Sequence, residues 1–329
     1  MESIDLRVLG DVLAWHQAGH RVTLVTVVET WGSAPRPPGA LLAVRDDGMV
    51  SGSVSGGCVE DDLIARIKAG EYTHLTHPSM VAYGVSKEEA ARFGLPCGGT
   101  LRLVQEPVMD VQWIQEVLRR TSAHQLIART LQLSTGDVVL RDAERTDTLQ
   151  FDGLTLTTLF GPRWRLLLIG AGQLSQAVAQ MAQMLDFEVL VCDPREEYAA
   201  GLNMSGVTRL IGMPDDVVRE LQADAHTAVV ALTHDPKLDD MALMEALNSD
   251  AFYVGALGSK RNQASRQQRL MEHFELSAEA LARLHGPVGL SIAAKTPAEI
   301  AVSIVAQIIQ VKNATATAPV TTASTCART

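Results

Sequence analysis

Leu6, Leu9, Val12 and Leu13 recur at three- and four-residue spacing, which predicts an amphipathic helix over Ile4–Ala18 that stops near Gly19. Val22–Glu29 is a β-branched run suited to a buried strand. Ala40–Arg45 and Met49–Ser51 flank Asp46-Asp47-Gly48 and read as a hairpin. A helix from Val59 to Lys68, a strand over Leu101–Glu106 and a helix over Asp110–Arg120 follow, the last with Val111, Ile114, Val117 and Leu118 on one face. Ala123–Phe160 reads as several short strands with turns at Thr135-Gly136-Asp137 and Asp152-Gly153.

From Arg165 the pattern changes to largely apolar strands alternating with helices. The strands are Arg165–Ile169, Phe187–Cys192, Val207–Ile211, Thr227–Leu232 and Phe252–Val254; helices fall between them, among them Asp215–Gln222 and Leu238–Leu247. Such alternation predicts a parallel sheet with helices on both faces. Gly286-Pro287-Val288-Gly289-Leu290 is a turn that re-enters the sheet edge or a cleft between domains. Thr296, Pro297 and Glu299 then form a capping box for a helix to about Val311, with Ile300, Ile304, Ile308 and Val311 facing the core. The expected fold is α/β: an N-terminal mixed α/β domain (1–108) with Gly-rich Cys loops, a connecting subdomain (109–160) and a Rossmann-like doubly wound parallel sheet (161–312). Residues 313–329 hold six Thr and five Ala and no core face, and read as a disordered tail that gives Cys326 no role.

Composition narrows the partners. The net charge of -10 argues against nucleic acid or an anionic membrane. No apolar run is long enough to span a bilayer, and the acidic N-terminus does not read as a secretory signal. Cys58, Cys97, Cys192 and Cys326 are scattered without a C-x-x-C pair, which excludes the usual zinc and disulfide frameworks and fits a reducing, cytoplasmic setting.

Candidate chemistry begins at Val50–Asp62, where Gly52, Ser55, Gly56 and Gly57 precede Cys58 at a helix start. Successive N–H groups in such a turn form an anion-binding concavity, and a thiolate is favoured there as nucleophile or metal ligand. The plain alternative is a tight turn with a half-buried cysteine. Glu60, Asp61 and Asp62 lie in the first helical turn, where they cap the helix, hold a cation or move a proton. Arg36, set among three prolines, presents a guanidinium suited to phosphate or carboxylate, or is a solvated surface residue. Cys97-Gly98-Gly99 is a second Cys-Gly-Gly element; if the strands adjoining the two loops lie side by side, both thiols face one pocket.

In the second half, Gly170-Ala171-Gly172 follows an apolar strand and opens a helix, with Asp193 near the spacing of a ribose-binding acid. Ser175 replaces the third glycine, and Arg195 suits a phosphate. His234 and Asp235 form a candidate acid–base pair, with a helix cap by Asp235 as the alternative. Gly258, Ser259 and Arg261 form a candidate anion seat. These residues support an NAD(P)-dependent oxidoreductase, or a regulatory domain that senses a nucleotide.

Taken in order, Glu29–Gly39, Gly52–Glu60, Pro96–Gly99, Gly170–Gly172, Cys192–Arg195, Thr233–Asp235, Gly255–Arg261 and Gly286–Leu290 resemble the XdhC/CoxI family, accessory proteins for maturation of xanthine dehydrogenase and related molybdenum hydroxylases. The resemblance implies a protein of purine catabolism that binds the molybdenum cofactor (molybdopterin) as cargo. Such a protein presents it to a cysteine desulfurase for exchange of an oxo for a sulfido ligand, and hands it to an apo hydroxylase of the xanthine dehydrogenase type. On that reading Cys58 or Cys97 holds molybdenum transiently or accepts persulfide sulfur, and Arg36, Arg195 and Arg261 meet the anionic cofactor. A homodimer suits such an exchange. Gln173 stands where family members commonly carry His.

Overall fold

A computed structural model describes residues 3–30, 36–71, 75–84, 100–144, 147–199, 201 and 204–316. Cys97, Gly98 and Gly99, and the tail beyond 316, lie outside the described residues. The chain divides into two compact units, 1–163 and 164–329.

The first unit opens with α1 (Ser3–Gln17), β1 (Val22–Thr30), β2 (Leu41–Arg45), β3 (Val50–Gly52) and α2 (Cys58–Lys68). It continues with β4 (Ser79–Tyr83), β5 (Leu101–Pro107) and α3 (Gln112–Ser122). Strands β1–β5 form an antiparallel sheet in the order β3-β2-β1-β5-β4. The run in β1 is apolar without alternation because both faces of the sheet are covered. Val25, Val27, Leu42 and Val44 pack on Val59, Leu63 and Ile67 of α2. Leu24, Leu41 and Ala43 pack the other way, on Val8, Leu9 and Val12 of α1 and Ile114 and Val117 of α3. The segment after α3 gives β6 (Ile127–Gln132), β7 (Val138–Asp142), β8 (Gln150–Phe151) and β9 (Thr155–Phe160), an antiparallel sheet in the order β7-β6-β9-β8.

The second unit runs β10 (Arg165–Ile169), α4 (Gln173–Met184), β11 (Glu188–Cys192), α5 (Glu196–Ala199), β12 (Val207–Leu210), α6 (Pro214–Leu221), β13 (Thr227–Ala231) and α7 (Pro236–Asn248). It closes with β14 (Tyr253–Ala256), α8 (Lys260–Phe274), α9 (Ala278–Ala282), β15 (Leu284–His285) and α10 (Pro297–Ala316). All six strands are parallel, in the order β12-β11-β10-β13-β14-β15. Numbered within the sheet this is 3-2-1-4-5-6, the doubly wound Rossmann order, whose direction of winding reverses between β10 and β13. Leu167 and Ile169 of β10 face a core shared with α6 and α7, while Leu166 and Leu168 face α4 and α10. The edge strand is Leu284–His285, just before the Gly286–Leu290 turn; the turn itself leaves the sheet, with the Val288 N–H donating to the Ala256 carbonyl at the end of β14. The capping box at Thr296–Glu299 forms: Glu299 accepts from the Lys295 and Thr296 N–H groups, and its own N–H donates to Thr296 Oγ1. Helix α10 continues to Ala316, five residues past the expected Val311.

Candidate functional site

Strand register brings the loops of the first unit to one end of its sheet. Thr30 pairs with Leu101, Thr26 with Leu41, and Leu42 with Gly52. The loop carrying Arg36, the loop carrying Cys58 and the chain entering β5 therefore leave the sheet from the same end. The strands adjoining the two Cys-Gly-Gly loops are not side by side, because β2 and β1 separate β3 from β5. Three strand spacings separate β3 from β5 by about 14 Å.

Cys58 is the first residue of α2 and is exposed. The concavity before it is not open to an outside anion. Glu60 folds back into it, and six donors converge on its carboxylate. Oε1 accepts from Ser53 Oγ at 2.8 Å and from the N–H groups of Val54, Ser55 and Gly56 at 2.9, 2.8 and 2.9 Å. Oε2 accepts from Ser55 Oγ and from the Gly57 N–H at 2.8 Å. Burial alone would raise the Glu60 pKa; the Ser55 hydroxyl and the Gly56, Ser55 and Gly57 N–H groups outweigh it and bring it down to about 2. The loop is thus an anion nest as its glycines suggest, with its own carboxylate as the anion. Ser55, Gly56 and Gly57, expected to face a cofactor, turn their N–H groups to Glu60. The other two acids do different work: Asp62 accepts from Tyr83 Oη at 2.9 Å, and Asp61 lies in the first turn of α2.

Gly52 is required by both conformation and space. Its φ is +84°, and a Cβ there would lie 2.2 Å from the Leu41 carbonyl oxygen and 2.6 Å from Val8 Cγ2. Arg36 corrects the expectation of a presented guanidinium. Its side chain is 15% exposed and lies 3.9 Å from buried Asp5 of α1. Asp5 also accepts from the Leu41 N–H, so the pair ties the loop's return to α1.

In the second unit the winding reversal brings Gly170-Ala171-Gly172 beside Thr233-His234-Asp235. Gly170 has φ +106°, and a Cβ on it would lie 3.1 to 3.2 Å from Leu232 and Thr233. Ser175 is buried in the first turn of α4, as a small residue in the third glycine's place should be. Asp193 does not face a ribose. Its side chain is 0% exposed, accepts from the Ala171 N–H and is gripped by Arg195 through Nε and Nη2, each at 2.9 Å. The Arg195 guanidinium also lies 4.0 Å over the Tyr198 ring. Asp193 therefore ties the glycine turn to the end of β11, and its carboxylate does not fit the ribose contact of a dinucleotide site.

Of the two readings at 234–235, the helix cap is present. Asp235 is the N-cap of α7 and accepts from the Lys237 N–H at 2.9 Å, while His234 is exposed with φ +63°. Ser259 caps α8 by accepting from the Asn262 N–H, and Lys260 and Arg261 are exposed in that helix's first turn. Behind them is a network the sequence pattern did not announce. Thr233 Oγ1 donates to Asp239 at 2.7 Å, and Arg266 reaches Asp239, Asp240 and the Leu257 carbonyl. Burial pushes the Asp239 pKa up against the pull of Thr233 and Arg266. Its only signal in sequence was Asp239-Asp240 set between the apolar residues Leu238 and Met241–Met244.

Two family models match this chain: XdhC and CoxI family over residues 15–78, and XdhC Rossmann domain over residues 166–308. A Bacillus subtilis (strain 168) protein named as a probable xanthine dehydrogenase subunit is 31% identical over 317 residues, 88% of this chain and 92% of that one. The Escherichia coli (strain K12) molybdenum cofactor insertion chaperone PaoD is 29% identical over 90% of this chain and 85% of its own length. A crystal structure described as a xanthine dehydrogenase from Bacillus halodurans matches with a TM-score of 0.76 and 28% identity, covering 97% of this chain and 98% of that one. With the cysteine–glycine loop in one unit, the 3-2-1-4-5-6 sheet in the other and relatives matched along nearly the whole length, the chain belongs to the XdhC/CoxI family.

Proposed function

We infer that this protein serves molybdoenzyme maturation: it binds the molybdenum cofactor as cargo, supports its sulfuration by a cysteine desulfurase and delivers it to an apo hydroxylase of the xanthine dehydrogenase type. The observation that carries this reading is the likeness, over 90% of this chain, to a protein named as a molybdenum cofactor insertion chaperone. The exposed thiol of Cys58 supports it, since a soft sulfur donor at a helix N-terminus suits a transient bond to molybdenum. Asp193, held by Arg195 and Ala171, gives no support to a dinucleotide oxidoreductase. The test is anaerobic incubation with freshly released cofactor, then gel filtration with molybdenum and pterin assayed in the protein peak. Near-stoichiometric co-elution that falls in Cys58→Ser is expected, with the native protein running as a homodimer. Absence of pterin from the native peak refutes the carrier role.

A further inference from the structure

The first unit holds a cavity of about 550 Å³, lined, among the described residues, by those between Thr76 and Leu140 and by none from the Gly52–Cys58 loop. Two of its lining residues are a buried ion pair. Arg129 Nη2 donates to Glu106 Oε2 at 2.5 Å, with the two side chains 2% and 6% exposed. The guanidinium lies 3.9 Å over the Trp113 ring, which fixes its plane. An arginine that meets a carboxylate often forks onto both oxygens. Here a single bond is made. Arg129 Nε and Glu106 Oε1 are both buried and have no hydrogen-bond partner among the described residues.

Buried polar atoms in folded proteins are nearly always paired. A leftover donor and a leftover acceptor on one ion pair match a group that offers the reverse, an acceptor beside a donor. The walls limit what can carry that group. Trp113, Pro78 and Val138 supply apolar faces, and the space exceeds that of a fused bicyclic ring. Asp110, Glu116 and Asp137 also line the cavity and disfavour a phosphate there. A simple cation would satisfy Glu106 but leave the Arg129 Nε–H idle and meet the guanidinium's charge.

We propose that this cavity binds a flat, uncharged nitrogen heterocycle by its lactam edge, the ring N–H donating to Glu106 Oε1 and the adjacent ring carbonyl accepting from Arg129 Nε. Neither atom is exposed in the structure, so seating the ring includes a small shift of the two side chains. Purine bases and pterins share this edge. The chemistry is common to both, and the titration tells them apart.

The test is calorimetric titration of the full-length protein with hypoxanthine and with pterin. 1-Methylhypoxanthine and 3-methylpterin, whose lactam N–H is blocked, serve as controls, with inosine monophosphate as the charged analogue. Saturable binding of at least one parent ring is expected, weakened about tenfold or more by N-methylation and by the phosphate. Binding of hypoxanthine alone identifies a nucleobase site, and of pterin alone a pterin site; either supports the assignment. Thr135→Trp, at an exposed lining position away from the ion pair, should abolish binding without lowering the Tm. Glu106→Gln should weaken binding about tenfold. No saturable binding of either ring, equal binding of the methylated rings, or full affinity in Thr135→Trp overturns the proposal. Cofactor co-elution is measured separately, so failure here leaves the carrier reading standing, and the reverse.

Discussion

Glu60→Gln changes one atom and the charge of the group around which the cysteine loop is built. The side chain holds four backbone N–H groups and two hydroxyls, and none of these can find another acceptor without remodelling Ser53–Gly57. Its pKa falls from 4.5 to about 2, which at about 1.4 kcal/mol per pH unit corresponds to roughly 3 kcal/mol. The carboxylate is partly open to water, and screening reduces that to about 1.5 kcal/mol. Replacing Oε2 by an amide also points donor at donor at the Gly57 N–H, adding about 1 kcal/mol. The expected cost at pH 7 is therefore about 2 to 3 kcal/mol. Because the folded pKa lies below the unfolded one, this stabilisation is complete above about pH 4.5 and is lost as pH falls toward 2. The difference between native and variant should close over that window. Urea denaturation at several pH values measures the cost, and hydrogen exchange of residues 53–57 localises it. A variant within about 0.5 kcal/mol of native at pH 7, with unchanged exchange in the loop, would refute the reasoning.

Two further outcomes follow from the geometry. Gly52→Ala should cost more than about 2 kcal/mol, through both its left-handed backbone and the clash with the Leu41 carbonyl, and thermal denaturation reads it directly. Peptide mapping after alkylation should find Cys58 modified in the native protein and Cys192 modified only after unfolding. Burial, with the charges of Asp193 and Asp215, pushes the Cys192 thiol up to about 12; native labelling of Cys192 would contradict that placement.

Much of the architecture was legible in the chain because it follows from local rules. The unbroken apolar runs of β10, β11 and β13 are those of strands covered on both sides, and Gly170-Ala171-Gly172 stands where such a strand must turn into a helix. The Thr296–Glu299 cap involves neighbours four residues apart at most, and it formed as read. Strand β4 was missed: Ser79–Tyr83 carries only Met80, Val81 and Tyr83 as large apolar residues and gains its place by pairing with β5.

The sequence by itself determined the layered α/β plan, the positions of the glycine turns and the chemical kind of each loop, since periodicity, propensity and backbone freedom act over a few residues. Only the tertiary structure decided which partner each polar group takes. Glu60 fills the nest that its own glycines create, Asp193 closes on Arg195, Arg36 turns to Asp5 and Glu106 meets Arg129 across two sheets. A charged side chain is satisfied by whatever lies close to it in space; for Arg36 and Glu106 that is set by how strands and helices pack, and for Glu60 and Asp193 by how their own loops fold back.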